Sequence, residues 1–181
     1  MLGVAKGQAI CLEAGGKVTG SVTVAAGGAF LMSGGTIGGS FSSSGASALT
    51  LSGATVTGAV SVGGSTGPVV IGGPSSSGDT IGAVVLTGNT EGVAVENNHI
   101  SGALSISGNA GGVGVTGDTV AGSATVTNNT GGVVFTYNTV GGSVSITHNS
   151  GGLQYSGNTV KGSVDNSREQ LNERRLYQVR P

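Results

Sequence analysis

Residues 128–147 read NNTGGVVFTYNTVGGSVSIT, and residues 108–127 read GNAGGVGVTGDTVAGSATVT. The two align residue for residue at a period of twenty. Two more copies flank them in the same register, GNTEGVAVENNHISGALSIS at 88–107 and HNSGGLQYSGNTVKGSVDNS at 148–167. Within each copy lie two short runs in which apolar residues alternate with small or polar ones, such as Val133-Val134-Phe135 and Ser143 to Thr147. Alternation of this kind predicts strands, and the Gly and Asn clusters between the runs predict turns.

The same grammar continues upstream in degraded form. TVTGAVSV at 55–62, TIGGSFSS at 36–43 and KVTGSVTV at 17–24 take the part played by TVGGSVSI. The last apolar residue of each first strand is then Leu12, Met32, Leu51, Ile71, Val95, Val115, Phe135 and Tyr155. Their spacings are 20, 19, 20, 24, 20, 20 and 20 residues, and the one long step holds PSSSGD at 74–79, read as a loop bulging from its coil.

A period near twenty without a helical pattern predicts an all-β chain: a single-stranded parallel β-helix (β-solenoid) of about eight coils, each strand pairing with its equivalents above and below. The solenoid is assigned to residues 10–167, with a lead-in or cap at 1–9 and a short charged cap or arm at 168–181. Inward positions are Val133, Phe135, Val140, Val144 and Ile146, matched upstream by Val93, Val95, Ile100, Leu104 and Ile106. About five apolar side chains per coil, at ~1.5–3 kcal/mol each, do not offset ~1–2 kcal/mol of backbone entropy for every residue ordered. Stacking is therefore obligatory, and a rise of about 4.8 Å per coil gives a rod of roughly 38 Å.

The composition suits this reading. Of 181 residues, 38 are Gly and only 8% are charged, yet mean hydropathy is +0.23 and Val, Ile and Thr abound, which argues against disorder. A net charge of -1 gives no electrostatic basis for binding nucleic acid. No stretch reads as a membrane span or as an export signal. Cys11 is the only cysteine, which excludes an intrachain disulfide, and it reads as a small buried or half-buried hydrophobe.

Two polar columns mark the turns. Asn89, Asn109, Asn129 and Asn149 form one, and Asn98, Asp118, Asn138 and Asn158 form the other. Side-chain amides stacked at the interstrand distance bond one another and the turn backbone, and Asn tolerates the left-handed conformation of such corners. Both columns are expected to be structural ladders.

The inward Val, Ile and Leu columns, the Asn corners and the coil length resemble the parallel β-helix repeats of secreted bacterial proteins: autotransporter passengers, filamentous-haemagglutinin-type adhesins and the Asn-laddered pectate-lyase-like class. The resemblance covers residues from about 10 to 167. It implies export, an extracellular or cell-surface location, right-handed winding and a surface or adhesive role.

Enzymatic chemistry needs clustered acids, bases or ligands. Most acidic residues stand alone in their coils, and no Lys or Arg occurs between residues 18 and 160. That leaves nothing there to stabilise the anionic intermediate of a polysaccharide lyase. Glu91, Glu96 and His99 share one coil and read as solvated turn residues; His148 reads as a surface residue. Gly112-Val113-Gly114-Val115-Thr116-Gly117 fits the dinucleotide-binding glycine pattern by letter, but no helix is expected after it. No enzyme activity, cofactor or metal site is expected.

The outer columns carry what remains. Ser105, Ser107, Thr125, Thr127, Ser145 and Thr147 form a face of small hydroxyl residues, which resembles the Thr-rich ranks of β-solenoid ice-binding proteins. The first-strand column Cys11, Leu31, Thr50, Val70, Ala94, Gly114, Val134 and Gln154 is weakly apolar. After Ser167 the chain turns to REQLNERRLYQVRP, with four of its seven basic residues. Arg168, Arg174, Arg175, Leu176, Tyr177, Val179 and Arg180 constitute a candidate assembly arm reaching a second copy head to tail. The expected partner is the protein itself, in a filament or homo-oligomer with a structural or adhesive role; ice and glycan surfaces are the alternatives, with polysaccharide binding or degradation third.

Overall fold

The computed structural model describes residues 1–73 and 78–167. Every secondary-structure element among them is a β-strand, and every strand pairing is parallel. The chain is a β-solenoid of about eight coils.

The coil at 128–147 shows the unit. Val133–Thr136 forms the first strand, Thr139–Val140 a two-residue strand, and Val144–Thr147 the last. Three strands per coil thus replace the two expected. The Gly141-Gly142 pair breaks the chain between Val140 and Val144, so Thr139–Val140 pairs only with its own kind, Thr119–Val120 before it and Thr159–Val160 after it. In two coils the break is absent, and Thr55–Gly63 and Thr80–Thr87 each run through both positions as one strand. These two join the short stack and the last stack into one sheet, while the first strands make a separate eight-stranded sheet.

Register follows the expectation closely. Leu12, Met32, Leu51, Ile71, Val95, Val115, Phe135 and Tyr155 are direct partners down the first stack. The column holds even across the 24-residue step, where Ile71 pairs with Val95. Residues 74–77, within the segment expected to bulge as a loop, lie outside the described residues. The last stack begins at Leu2–Val4, which pairs with Val22–Val24, inside the stretch assigned to the lead-in.

The core is one continuous apolar column. Val133, Phe135, Val140, Val144 and Ile146 are each at most 2% exposed, and their upstream equivalents are buried as well. Aromatic rings stack between coils, with Phe135 and Tyr155 at 5.8 Å and an interplanar angle of 4°. Burial weakens in the last described coil, where Tyr155 and Val160 are half-buried and Val164 is exposed.

Candidate functional surface

The polar columns are hydrogen-bonded ladders closed within the corners. In the first, Nδ2 of Asn89, Asn109 and Asn129 donates to Oδ1 of the Asn one coil on at 2.8, 3.0 and 2.8 Å. The same oxygens accept the backbone N–H of the preceding Asn at 2.9 Å. Nδ2 also reaches a carbonyl of the last stack, as from Asn109 to Leu86 O at 3.1 Å. Ser65 extends the ladder upward, its N–H donating to Asn89 Oδ1. Side chains so fully engaged with their own coils have no capacity left for a ligand.

The second ladder contains Asn98, Asp118, Asn138 and Asn158 and has a further member, Asp79. Asp79 N–H donates to Asn98 Oδ1 at 3.1 Å, while its carboxylate oxygens accept from Ala54 N and Gly72 N at 2.7 and 3.1 Å. A spacing of 19 rather than 20 from Asn98, directly after the loop segment, conceals this member in the sequence. One signal reveals it, because Asp79-Thr80-Ile81-Gly82 repeats the pattern of Asp118-Thr119-Val120-Ala121. Burial raises the carboxyl of Asp79 above its usual range against the lowering effect of backbone donors. Asp118 is pushed up to about 7, chiefly by burial, with hydrogen bonds from Asn98 and Thr116 opposing and the charge of Glu96 adding to the rise.

The left-handed residue of each corner is the one before the ladder Asn, not the ladder Asn itself as expected. Asn128 and His148 have φ of +57° and +60°, and in the other corner Asn97 and Tyr137 both have +58°. The ladder residue itself keeps a negative φ, with its amide buried in the rod. The preceding residue then makes the bend. His148 stands exposed at such a bend.

The outer face of the joined sheet is built of hydroxyls. Ser105, Thr125 and Ser145 are direct partners, as are Ser107, Thr127 and Thr147, and all six are half-exposed. Beside them runs a column of Ser123, Ser143 and Ser163, in which the backbone N–H of each later residue donates to Oγ of the earlier one at 3.1 and 3.2 Å. The short strands add a column that the sequence reading missed: Thr36, Thr55, Thr80, Thr119, Thr139 and Thr159, interrupted by His99 and headed by Lys17. Its signal was the recurring Thr-Val or Thr-Ile pair, taken as part of the following run. Neighbouring hydroxyls thus repeat at about 4.8 Å down the rod and about 6.6 Å across a strand.

The first stack presents the other broad face. Leu31 and Val134 are 45% and 38% exposed there, and Cys11 is exposed because it lies in this outward column, correcting its expected burial. A shallow groove of about 950 Å³ runs along the later coils over Val70, Ala94, Gly114 and Val134, bordered by Glu91 and Tyr155. Glu91 and Glu96 lie at opposite ends of the strand Val93–Glu96, and His99 projects from a different stack, so the three do not converge. The glycine pattern at 112–117 surrounds the strand Val113–Thr116 and is followed by another strand. Among the described residues no group of three or more His, Cys, Asp or Glu side chains is placed to hold a metal ion. Arg168, Arg174, Arg175, Leu176, Tyr177, Val179 and Arg180 lie outside the described residues.

Compared with known proteins, the chain matches no family model, no curated protein and no solved structure.

Proposed function

We propose that this protein is a non-enzymatic, exported structural or adhesive rod of a bacterial surface, filament or matrix, acting by association with copies of itself. The observation that carries the reading is the charge-poor outer surface of the joined sheet. From the coil of Thr36 to that of Thr139 its strands turn out only small hydroxyl and apolar side chains apart from His99. Charged residues on exposed sheet surfaces and edges normally oppose association, and these columns lack them. The buried carboxyls, Asp79 and Asp118, are enclosed in a ladder rather than aimed at solvent. Sedimentation and negative-stain microscopy of the full chain test the proposal. Filaments or discrete oligomers are expected at micromolar concentration, and a monomer across the whole range overturns it. Removing residues 168–181 asks whether the arm makes the connection, since unchanged assemblies then assign it to the rod itself.

A second reading is favoured by the threonine column at 36, 55, 80, 119, 139 and 159 beside the Ser and Thr columns. Methyl and hydroxyl groups repeating in two directions suit an ordered water surface such as ice. Thermal hysteresis with shaped crystals, lost on changing Thr125 and Thr127 to Lys, is the expected result; its absence from the unmodified protein removes this reading.

A further inference from the structure

The second ladder breaks its own pattern at one position. Asn98, Asn138 and Asn158 send Nδ2 to first-stack carbonyls, Ile71 O at 3.1 Å, Val115 O at 3.0 Å and Phe135 O at 2.8 Å. The twenty-residue register makes Val95 O the equivalent acceptor for position 118. Asp118 has no amide nitrogen to offer. Its Oδ1 performs the role of the amide oxygen, accepting Asn98 N and Asn98 Nδ2, both at 2.8 Å. Its Oδ2 takes the nitrogen's place, buried and without a hydrogen-bond partner.

What the missing nitrogen would meet is acceptors. By the register they are the Val95 carbonyl and Asn138 Oδ1, which already holds the N–H of Asp118 at 2.9 Å; the backbone N–H of Thr116, which lowers the carboxyl's pKa, makes no hydrogen bond to Oδ2. An ionised Oδ2 there sets negative charge against lone pairs in a water-free corner, a costly arrangement, whereas an O–H donates to one of them. Asp79 belongs to the same column and faces the opposite situation, since both of its oxygens meet backbone donors.

We propose that Asp118 stands in the ladder as a neutral carboxylic acid whose Oδ2–H replaces the missing amide donor, so that a proton closes the joint between this coil and its neighbours. Glu96, at the end of the first-stack strand one coil above, strengthens the preference for the neutral form. The other titratable groups on adjoining elements, His99 above and Tyr137 below, are exposed side chains. Burial and Glu96 together bring the carboxyl to about 7, against about 3.9 in an unfolded chain. Between those values the folded rod keeps a proton that the unfolded chain has released. Stability is therefore full below about pH 4, falls as pH rises toward 7 and is level above it, the unfolding constant growing by up to about tenfold per pH unit.

Carboxyl 13C NMR of the full chain, together with thermal unfolding of the natural protein and Asp118→Asn from pH 4 to 9, tests this. The Asp118 carboxyl carbon is expected to titrate near neutrality. Asp118→Asn is expected to unfold at a higher temperature than the natural protein at pH 8 and to lose its share of the pH slope. Asp79 is present in both proteins, so its titration cancels in the comparison. A carboxyl that titrates near pH 4, or an Asn variant no more stable at pH 8, overturns the proposal, and the NMR titration decides by itself if the variant does not fold.

Discussion

Asn109 Nδ2 donates to Asn129 Oδ1 at 3.0 Å, and Asn109 Oδ1 accepts the backbone and side-chain N–H groups of Asn89 at 2.9 and 2.8 Å. One buried amide therefore ties three consecutive coils. Asn109→Ala leaves Asn89 N without a partner, leaves Asn89 Nδ2 only its 3.4 Å bond to the Val62 carbonyl, and takes from the Leu86 carbonyl its amide donor, in a corner too enclosed to hydrate. At about 1–3 kcal/mol for each stranded group, partly relieved by relaxation, the expected loss is about 3–5 kcal/mol. Urea denaturation checks it; a shift worth less than about 1 kcal/mol would mean that water enters the corner and satisfies those groups.

The alternation within strands made most of this architecture legible. Period two decides which side chains face inward, and the repeated Asn-Gly corners fix the coil length, so the column from Leu12 to Tyr155 was readable before any coordinate. Three features were not, each for a physical reason. A two-residue strand such as Thr139–Val140 is too short to show a period, and it merges by eye with the run after the glycines. Asp79 stands 19 residues before Asn98 rather than 20 and directly follows the loop segment, so a strict period misses it. Consecutive asparagines such as Asn128-Asn129 serve two different needs, a left-handed bend and an inward amide, and the letters do not say which residue meets which. The hydroxyl columns were half-read for the first of these reasons: Thr125 and Thr127 lie on a four-residue strand, Thr119 and Thr139 on two-residue ones.

Ser43 is a local mismatch in the core. It sits between Val24 and Val62 in an inward column, is 8% exposed, and its Oγ is buried without a partner. Ser43→Val removes the unsatisfied hydroxyl, restores the column and adds β-branched volume suited to a strand. A gain of about 1–2 kcal/mol is expected, an increase in Tm of roughly 2–6 °C for a chain of this size. A decrease in Tm would show that the neighbouring valines already fill the space and that the extra methyl overpacks it.

Two glycine corners should respond in opposite ways. Gly131 has φ of +97°, and a Cβ there would be driven into the backbone of Gly111 and Gly112 in the preceding coil. Gly108 has φ of +65°, a Cβ there would meet nothing nearer than the Gly88 nitrogen at 3.9 Å, and it shares its column with Asn128 and His148. Gly131→Ala is expected to cost about 3 kcal/mol or more, from the unfavourable dihedral and the displaced backbone together, whereas Gly108→Asn should cost less than about 1 kcal/mol. Equal losses at the two sites, measured by chemical denaturation, would refute the role assigned to the inter-coil contact.

If Asp118 owes its behaviour to its place in a ladder, a carboxyl placed at another rung should acquire it. Asn109 is such a rung, 1% exposed, with Nδ2 bonded to Leu86 O and Asn129 Oδ1. Asn109→Asp puts Oδ2 against those two acceptors, and its folded-state pKa should rise well above the ordinary carboxylate value, as burial among acceptors requires. The folded variant then holds a proton through an interval in which the unfolded chain has lost it. The destabilisation relative to the natural protein should therefore be small near pH 4, grow as pH rises toward neutrality, and level off above the folded pKa at about 2–4 kcal/mol. Paired thermal unfolding at pH 4.5, 6 and 8 measures this. A difference in Tm independent of pH would locate the cause in something other than the proton, and would also separate the behaviour of Asp118 from its rung in the ladder.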